Sequence, residues 1–152
     1  MKLLALILII SLTAFILYNI NEDIKAIKNI KIEINSVRIE EISLKCIKLN
    51  ISIKLINNES RGIKDLNGDL NVFILNVFIS NISFGRVNIP AKAFKNVSVF
   101  VYLYYGEIAG SIIETIKKME FYICLKGKID GKIFFGLIKY EKPVEIYYEY
   151  MD

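Results

Sequence analysis

Four asparagines stand two residues ahead of a serine, at Asn50-Ile51-Ser52, Asn58-Glu59-Ser60, Asn81-Ile82-Ser83 and Asn96-Val97-Ser98. That spacing sets a hydroxyl beside the asparagine amide, as an N-glycan acceptor requires, provided the segment faces outward from the cell. Asn58 falls in a turn and is the best of the four, whereas Asn50 falls within a strand and is the poorest. Alternating strands rich in asparagine also produce this spacing by chance. Cys46 and Cys124 are the only cysteines. An outward location would permit a disulfide between them, and the alternative is two free thiols acting as small buried hydrophobes in strands.

Other chemistry has less to work with. Two cysteines and no histidine do not make a zinc site. Asp65-Leu66-Asn67-Gly68-Asp69 touches a calcium-loop pattern, but Leu70 and Asn76 occupy the places where glycine and a bidentate glutamate are needed. A hairpin turn is the plainer reading. No serine, lysine or carboxylate is tied by spacing to a base, an orienting group and an oxyanion donor, and Glu40, Glu41, Glu107 and Glu114 read as surface charges. The expectation is a chain that is not an enzyme and carries no cofactor or metal. The net charge of +4 comes from lysines spread along the chain, so no nucleic-acid patch is expected.

One stretch suggests recognition instead. In Val97 to Tyr105, Val97, Val99, Val101 and Leu103 point one way, and Phe100, Tyr102 and Tyr104 the other. The aromatic side is expected to be covered by a helix or to pair across strands with Tyr147, Tyr148 and Tyr150. Otherwise it is an exposed apolar groove for an acyl chain or a partner strand.

These residues must be positioned by a chain of 152 residues, enough for one domain with a sizeable core after an amino-terminal leader is set aside. Leu3 to Tyr18 carries no charge, and a helix continued to Ile20 approaches the roughly 30 Å of a hydrocarbon core. Lys2 precedes this run, and Glu22 and Asp23 follow it. The positive-inside rule therefore predicts a single-pass cell-membrane protein with its amino end in the cytoplasm and the remainder outside. A cleaved signal peptide is the competing reading, but no small-x-small site closes the run. The expected division is an anchor over 1–20, a helical stalk over 21–29 and a β-sandwich over 30–152.

From Lys31 onward the hydrophobic period is two. Leu49, Ile51, Ile53 and Leu55 alternate with Lys48, Asn50, Ser52 and Lys54, and a phase slip between Cys46 and Ile47 predicts a bulge or bend. Asn67-Gly68 and Asp130-Gly131 are hairpin signals. Leu70 to Ile79 reads as a central strand buried on both faces, Arg86 to Ile89 as a short strand ended by Pro90, and the segment after Pro143 as an edge strand. Ile108, Ile112, Ile116 and Met119 fall at helical spacing. The predicted order is anchor, about five strands, one amphipathic helix and two or three strands.

That order resembles the water stress and hypersensitive response (WHy) domain of the late embryogenesis abundant (LEA) type-2 proteins over about Ile30 to Tyr150. The resemblance is carried by SLKCIKLNISIKLINNES, IAGSIIETIKK and YICLKGKIDGKIFFGLIKYEKPV. The family usually has Asn-Pro after the long strand, and here Asn57 is followed by Asn58, whose turn is expected to use a left-handed asparagine. The resemblance implies an antiparallel sandwich of immunoglobulin or fibronectin-III type, no catalysis, and an association with desiccation and stress tolerance. The resulting expectation is a membrane-anchored, extracytoplasmic β-sandwich that binds a lipid or an envelope protein. The alternatives are a module that binds or transfers a hydrophobic ligand, and a pilin-like structural subunit.

Overall fold

The computed structural model describes residues 1–151. A helix, α1 (Lys2–Lys28), leads into five strands, β1 (Lys31–Ile42), β2 (Cys46–Asn57), β3 (Ile63–Ile74), β4 (Val77–Ile89) and β5 (Ala93–Tyr104). A short helix, α2 (Gly110–Lys117), precedes β6 (Glu120–Ile133) and β7 (Ile138–Met151). The strands form two antiparallel sheets, a three-stranded one ordered β1-β2-β5 and a four-stranded one ordered β4-β3-β6-β7.

The period-two pattern dictates this packing. On β2, Ile47, Leu49, Ile51, Ile53 and Leu55 all point inward and are 0% exposed. They share one core with Leu66, Leu70, Val72 and Ile74 of β3 and Ile123, Leu125 and Ile129 of β6. Burying each such side chain contributes on the order of 1.5–3 kcal/mol, an upper figure because the unfolded chain is already partly collapsed. Helices close both ends of the sandwich. Ala26 and Ile27 of α1 pack at the end that holds Ile63 and Gly131. Ile112, Ile113 and Ile116 of α2 join the same core, where α2 packs on β6.

Several turns lie elsewhere than the sequence signals place them. Asn67-Gly68 is inside β3 and Asp130-Gly131 is inside β6. These glycines serve close approach rather than a left-handed backbone, since among glycines only Gly136 has a positive φ. A Cβ on Gly68 would lie 2.3 Å from the ring of Phe84, its cross-strand partner, and one on Gly131 would lie 2.7 Å from Ile27 Cδ1. The Asn67 amide meanwhile accepts from Arg86 N–H at 3.1 Å and donates to Asp65 O and Asp130 Oδ1, which secures a bulge where Asp65 and Arg86 are left-handed.

The actual β3–β4 turn is Leu75-Asn76, with φ of 50° and 62° between the paired residues Ile74 and Val77. It divides the apolar run Leu70 to Ile79 between β3 and β4, so that run is not one central strand. The terminal hairpin does form, with its tip at Phe134–Leu137. The slip near Cys46 is the β1–β2 turn itself, where Ser43 Oγ accepts from the N–H groups of Lys45 (3.2 Å) and Cys46 (3.1 Å). At the β2–β3 corner neither Asn57 nor Asn58 is left-handed. Asn57 instead forms an Asx turn, its Oδ1 accepting from Glu59 N–H at 3.1 Å and its Nδ2 donating to Arg61 O at 2.8 Å and Pro90 O at 3.1 Å.

Candidate functional site

The aromatic row predicted on β5 is uncovered. Phe100, Tyr102 and Tyr104 are 48%, 46% and 46% exposed on the outer face of the three-stranded sheet. Neither expected cover reaches them. The apolar residues of α2 enter the core, and β7 belongs to the other sheet, so Tyr147, Tyr148 and Tyr150 pair with Cys124, Ile123 and Phe121. Register supplies a partner that strand periodicity alone did not indicate. Lys48 lies opposite Tyr102, with Nζ 4.4 Å from the Phe100 ring centre and 5.8 Å from that of Tyr102. Farther along, Lys54 Nζ is 4.5 Å from the ring of exposed Phe94. A lysine above an aromatic ring gains cation–π attraction while its stem covers apolar surface. The face is thus a mixed aromatic and basic strip along an edge strand.

The sequons are scattered over the surface. Asn58 is exposed in the loop after β2, and Asn96 is exposed on β5. Asn81 is exposed as well, but its Nδ2 already donates to Asp69 Oδ1 (2.7 Å), Asn71 Oδ1 (3.1 Å) and Leu70 O (3.3 Å). Asn50 is half-buried in mid-strand, its Nδ2 donating to Glu40 at 3.1 Å and its Oδ1 buried without a partner among the described residues.

Cys46 and Cys124 are free and belong to different sheets, each on an outer face, so these positions do not form a bridge. Burial, with Glu145 beside it, pushes the Cys124 thiol above its usual range. A hydrogen bond from Tyr147 to Glu145 raises the Tyr147 phenol. Both groups are therefore protonated near neutral pH and poor nucleophiles. Among the described residues no group of three histidine, cysteine or acidic side chains is placed to hold a metal ion.

A second constellation, marked by no sequence motif, joins α1 to the sandwich. Arg61, on the β2–β3 corner, donates from Nη1 and Nη2 to Asn19 Oδ1 at 3.0 and 3.1 Å and lies 3.4 Å from Asp23 Oδ1. Asp23 Oδ2 accepts from Phe134 N–H at 2.8 Å. Asn19, Asp23, Arg61, Lys64, Lys132, Phe135 and Gly136 line one small depression of about 170 Å³. The partners are 42 and 111 residues apart in sequence, so no local signal could have found them.

On the amino-terminal side of this junction, α1 exposes its apolar residues on all sides from Leu3 to Tyr18. The mean hydropathy of its most apolar stretch is 2.5, and almost none of that stretch is buried. Fold and helix together define the class: a β-sandwich carried on a helix long and apolar enough to cross a membrane. No family model matches the chain, and no curated protein matches it in sequence.

Solved structures share the fold. A protein from Arabidopsis thaliana is 11% identical, with a TM-score of 0.59 over 79% of this chain and 80% of the other. The X-ray structure of a structural-genomics target is 12% identical, with a TM-score of 0.51 over 80% and 89%. The neighbours also include a LEA protein, 12% identical with a TM-score of 0.46 over 92% and 87%. At these identities the likeness is one of fold.

Proposed function

We propose that this chain is a membrane-anchored, non-catalytic β-sandwich of the LEA type-2 or WHy kind, working outside the cytoplasm by binding an envelope component. The observation that carries the reading is α1. One unbroken helix has its first part stripped of protein cover and its last turn, at Ala26 and Ile27, embedded in the domain core. Exposing so many large apolar side chains to water is costly at about 25 cal/mol per Å², and a bilayer removes that cost. Cleavage near residue 20 would remove Asn19, which Arg61 holds, and leave a helical stub in the core. That favours a retained anchor over a signal peptide. Lys2 ahead of the apolar run favours a cytoplasmic amino end.

Binding is assigned to the strip of Phe100, Tyr102, Tyr104 and Lys48, because exposed aromatics grouped on an edge strand are what a partner strand or an apolar ligand engages. The interior is not assigned to a ligand, since side chains of both sheets and α2 fill it. The sequence resemblance supports the stress-related family, and the shared fold is compatible with it.

The test is protease accessibility of the full-length protein in sealed cells, combined with alkaline carbonate extraction. A β domain cleaved from outside while the protein stays in the membrane fraction is the expected result. Resistance until the membrane is opened overturns the orientation, and release by carbonate overturns the anchor.

A further inference from the structure

We infer that the tip of the β6–β7 hairpin is a second membrane contact, with Phe135 and Leu137 entering the interface of the leaflet from which α1 emerges and Lys64 and Lys132 meeting anionic lipid headgroups. The inference rests on α1 being the membrane anchor. Phe135 and Leu137 are 72% and 75% exposed, and Ile138 beside them is 44% exposed. Three consecutive left-handed residues, Phe134, Phe135 and Gly136, build this tip. A turn meant for water would carry asparagine, aspartate or glycine at such positions; Gly136 fits that rule, whereas Phe134 and Phe135, with Leu137 next to them, suit an apolar surround.

The location specifies that surround. Asp23 holds the tip through Phe134 N–H, and Phe135 and Gly136 line the same depression as Asn19, one residue beyond the exposed run Leu3–Tyr18. At 1.5 Å of rise per residue, Asn19 lies only about 6 Å along the helix from Asp23 toward the membrane. Aromatic side chains at this level are characteristic of membrane interfaces.

Charge supports the same occupant. Lys64 and Lys132 are direct cross-strand partners on β3 and β6 and line this depression. Like charges in opposed positions repel, and among the described residues neither has a carboxylate within 4.0 Å. Lipid phosphates would neutralise both, since basic residues beside an anionic leaflet are attracted to its surface.

The native chain has no tryptophan, so single-tryptophan variants report depth directly. Full-length Phe135→Trp, Leu8→Trp and Phe78→Trp are placed in nanodiscs of phosphatidylcholine and phosphatidylglycerol, with and without acyl-chain bromination. Phe78 is exposed near the β3–β4 turn, roughly 35 Å along β3 from the Arg61 end. Expected are strong quenching of Leu8→Trp, quenching and a blue shift for Phe135→Trp, and neither for Phe78→Trp. Quenching of Leu8→Trp with Phe135→Trp matching Phe78→Trp overturns the tip contact and leaves the anchor standing. An unquenched Leu8→Trp removes the anchor and this inference with it. Adding Lys64→Gln and Lys132→Gln is expected to abolish the gain in Phe135→Trp quenching that phosphatidylglycerol gives over phosphatidylcholine alone, and a gain that persists overturns the headgroup role.

Discussion

Both terminal nitrogens of Arg61 converge on the side-chain oxygen of Asn19, 42 residues earlier, at 3.0 and 3.1 Å. This fork fixes α1 to the sandwich at the point where its apolar run ends. The neighbouring Arg61–Asp23 pair is partly exposed, with side chains 34% and 17% accessible, and adds little by itself. Asn19 is 8% exposed, so its oxygen cannot readily turn to water. Arg61→Ala is therefore predicted to cost about 1–3 kcal/mol, chiefly by orphaning that oxygen. Thermal unfolding of the detergent-solubilised full chain measures the loss, and faster tryptic cleavage at Lys25 and Lys28 reports the freed helix end.

Gly127 on β6 lies opposite Leu70, and a Cβ there would meet Asp69 O at 2.1 Å and Leu70 Cα at 2.9 Å. Both are backbone atoms of the central strand and cannot turn aside. Gly127→Ala is predicted to destabilise by more than about 4 kcal/mol, enough to prevent folded expression. Gly68→Ala meets only the Phe84 ring, a side chain able to rotate, so its melting temperature should fall much less. Equal losses in the two variants would show that the strands are not so closely apposed at Gly127.

Leu75 and Asn76 both hold positive φ in a two-residue turn. Leucine pays a steric penalty there that asparagine and glycine largely avoid. The double substitution Leu75→Asn with Asn76→Gly is predicted to stabilise by about 1 kcal/mol. A higher melting temperature with unchanged circular dichroism is the expected readout, and no gain would mean the turn is not of this type.

Lys139 and Lys128 hold the Glu141 carboxyl below its ordinary value of 4.5. A lowered folded-state pKa contributes stability that is present above 4.5 and lost as pH falls through the depressed value. Glu141→Gln should flatten the melting temperature against pH in that acidic window and lower it modestly near neutrality, the two proteins converging once the pH is below the depressed value. The pair is on the surface, so high salt should shrink the difference between the two proteins.

Sequence alone determined the alternation that makes β2 half-buried, the apolar amino-terminal helix, the single amphipathic helix and the edge character of the Pro143 strand. Each is a local statement, because burial on one face imposes a period of two or 3.6 on consecutive residues. Local reading fails where a residue type answers to a distant neighbour. Gly68 and Gly131 look like turn glycines but make room for Phe84 and Ile27, and Asn57 builds its corner through carbonyls of Arg61 and Pro90. Which sheet each strand joins was likewise settled by tertiary packing. That choice put Tyr147 and Tyr148 on the sheet opposite Phe100, left the β5 aromatics bare, and separated Cys46 from Cys124. The Asn19–Arg61–Asp23–Phe134 junction exists only once the chain has closed, since hydrogen bonds between residues so far apart leave no periodic trace in the sequence.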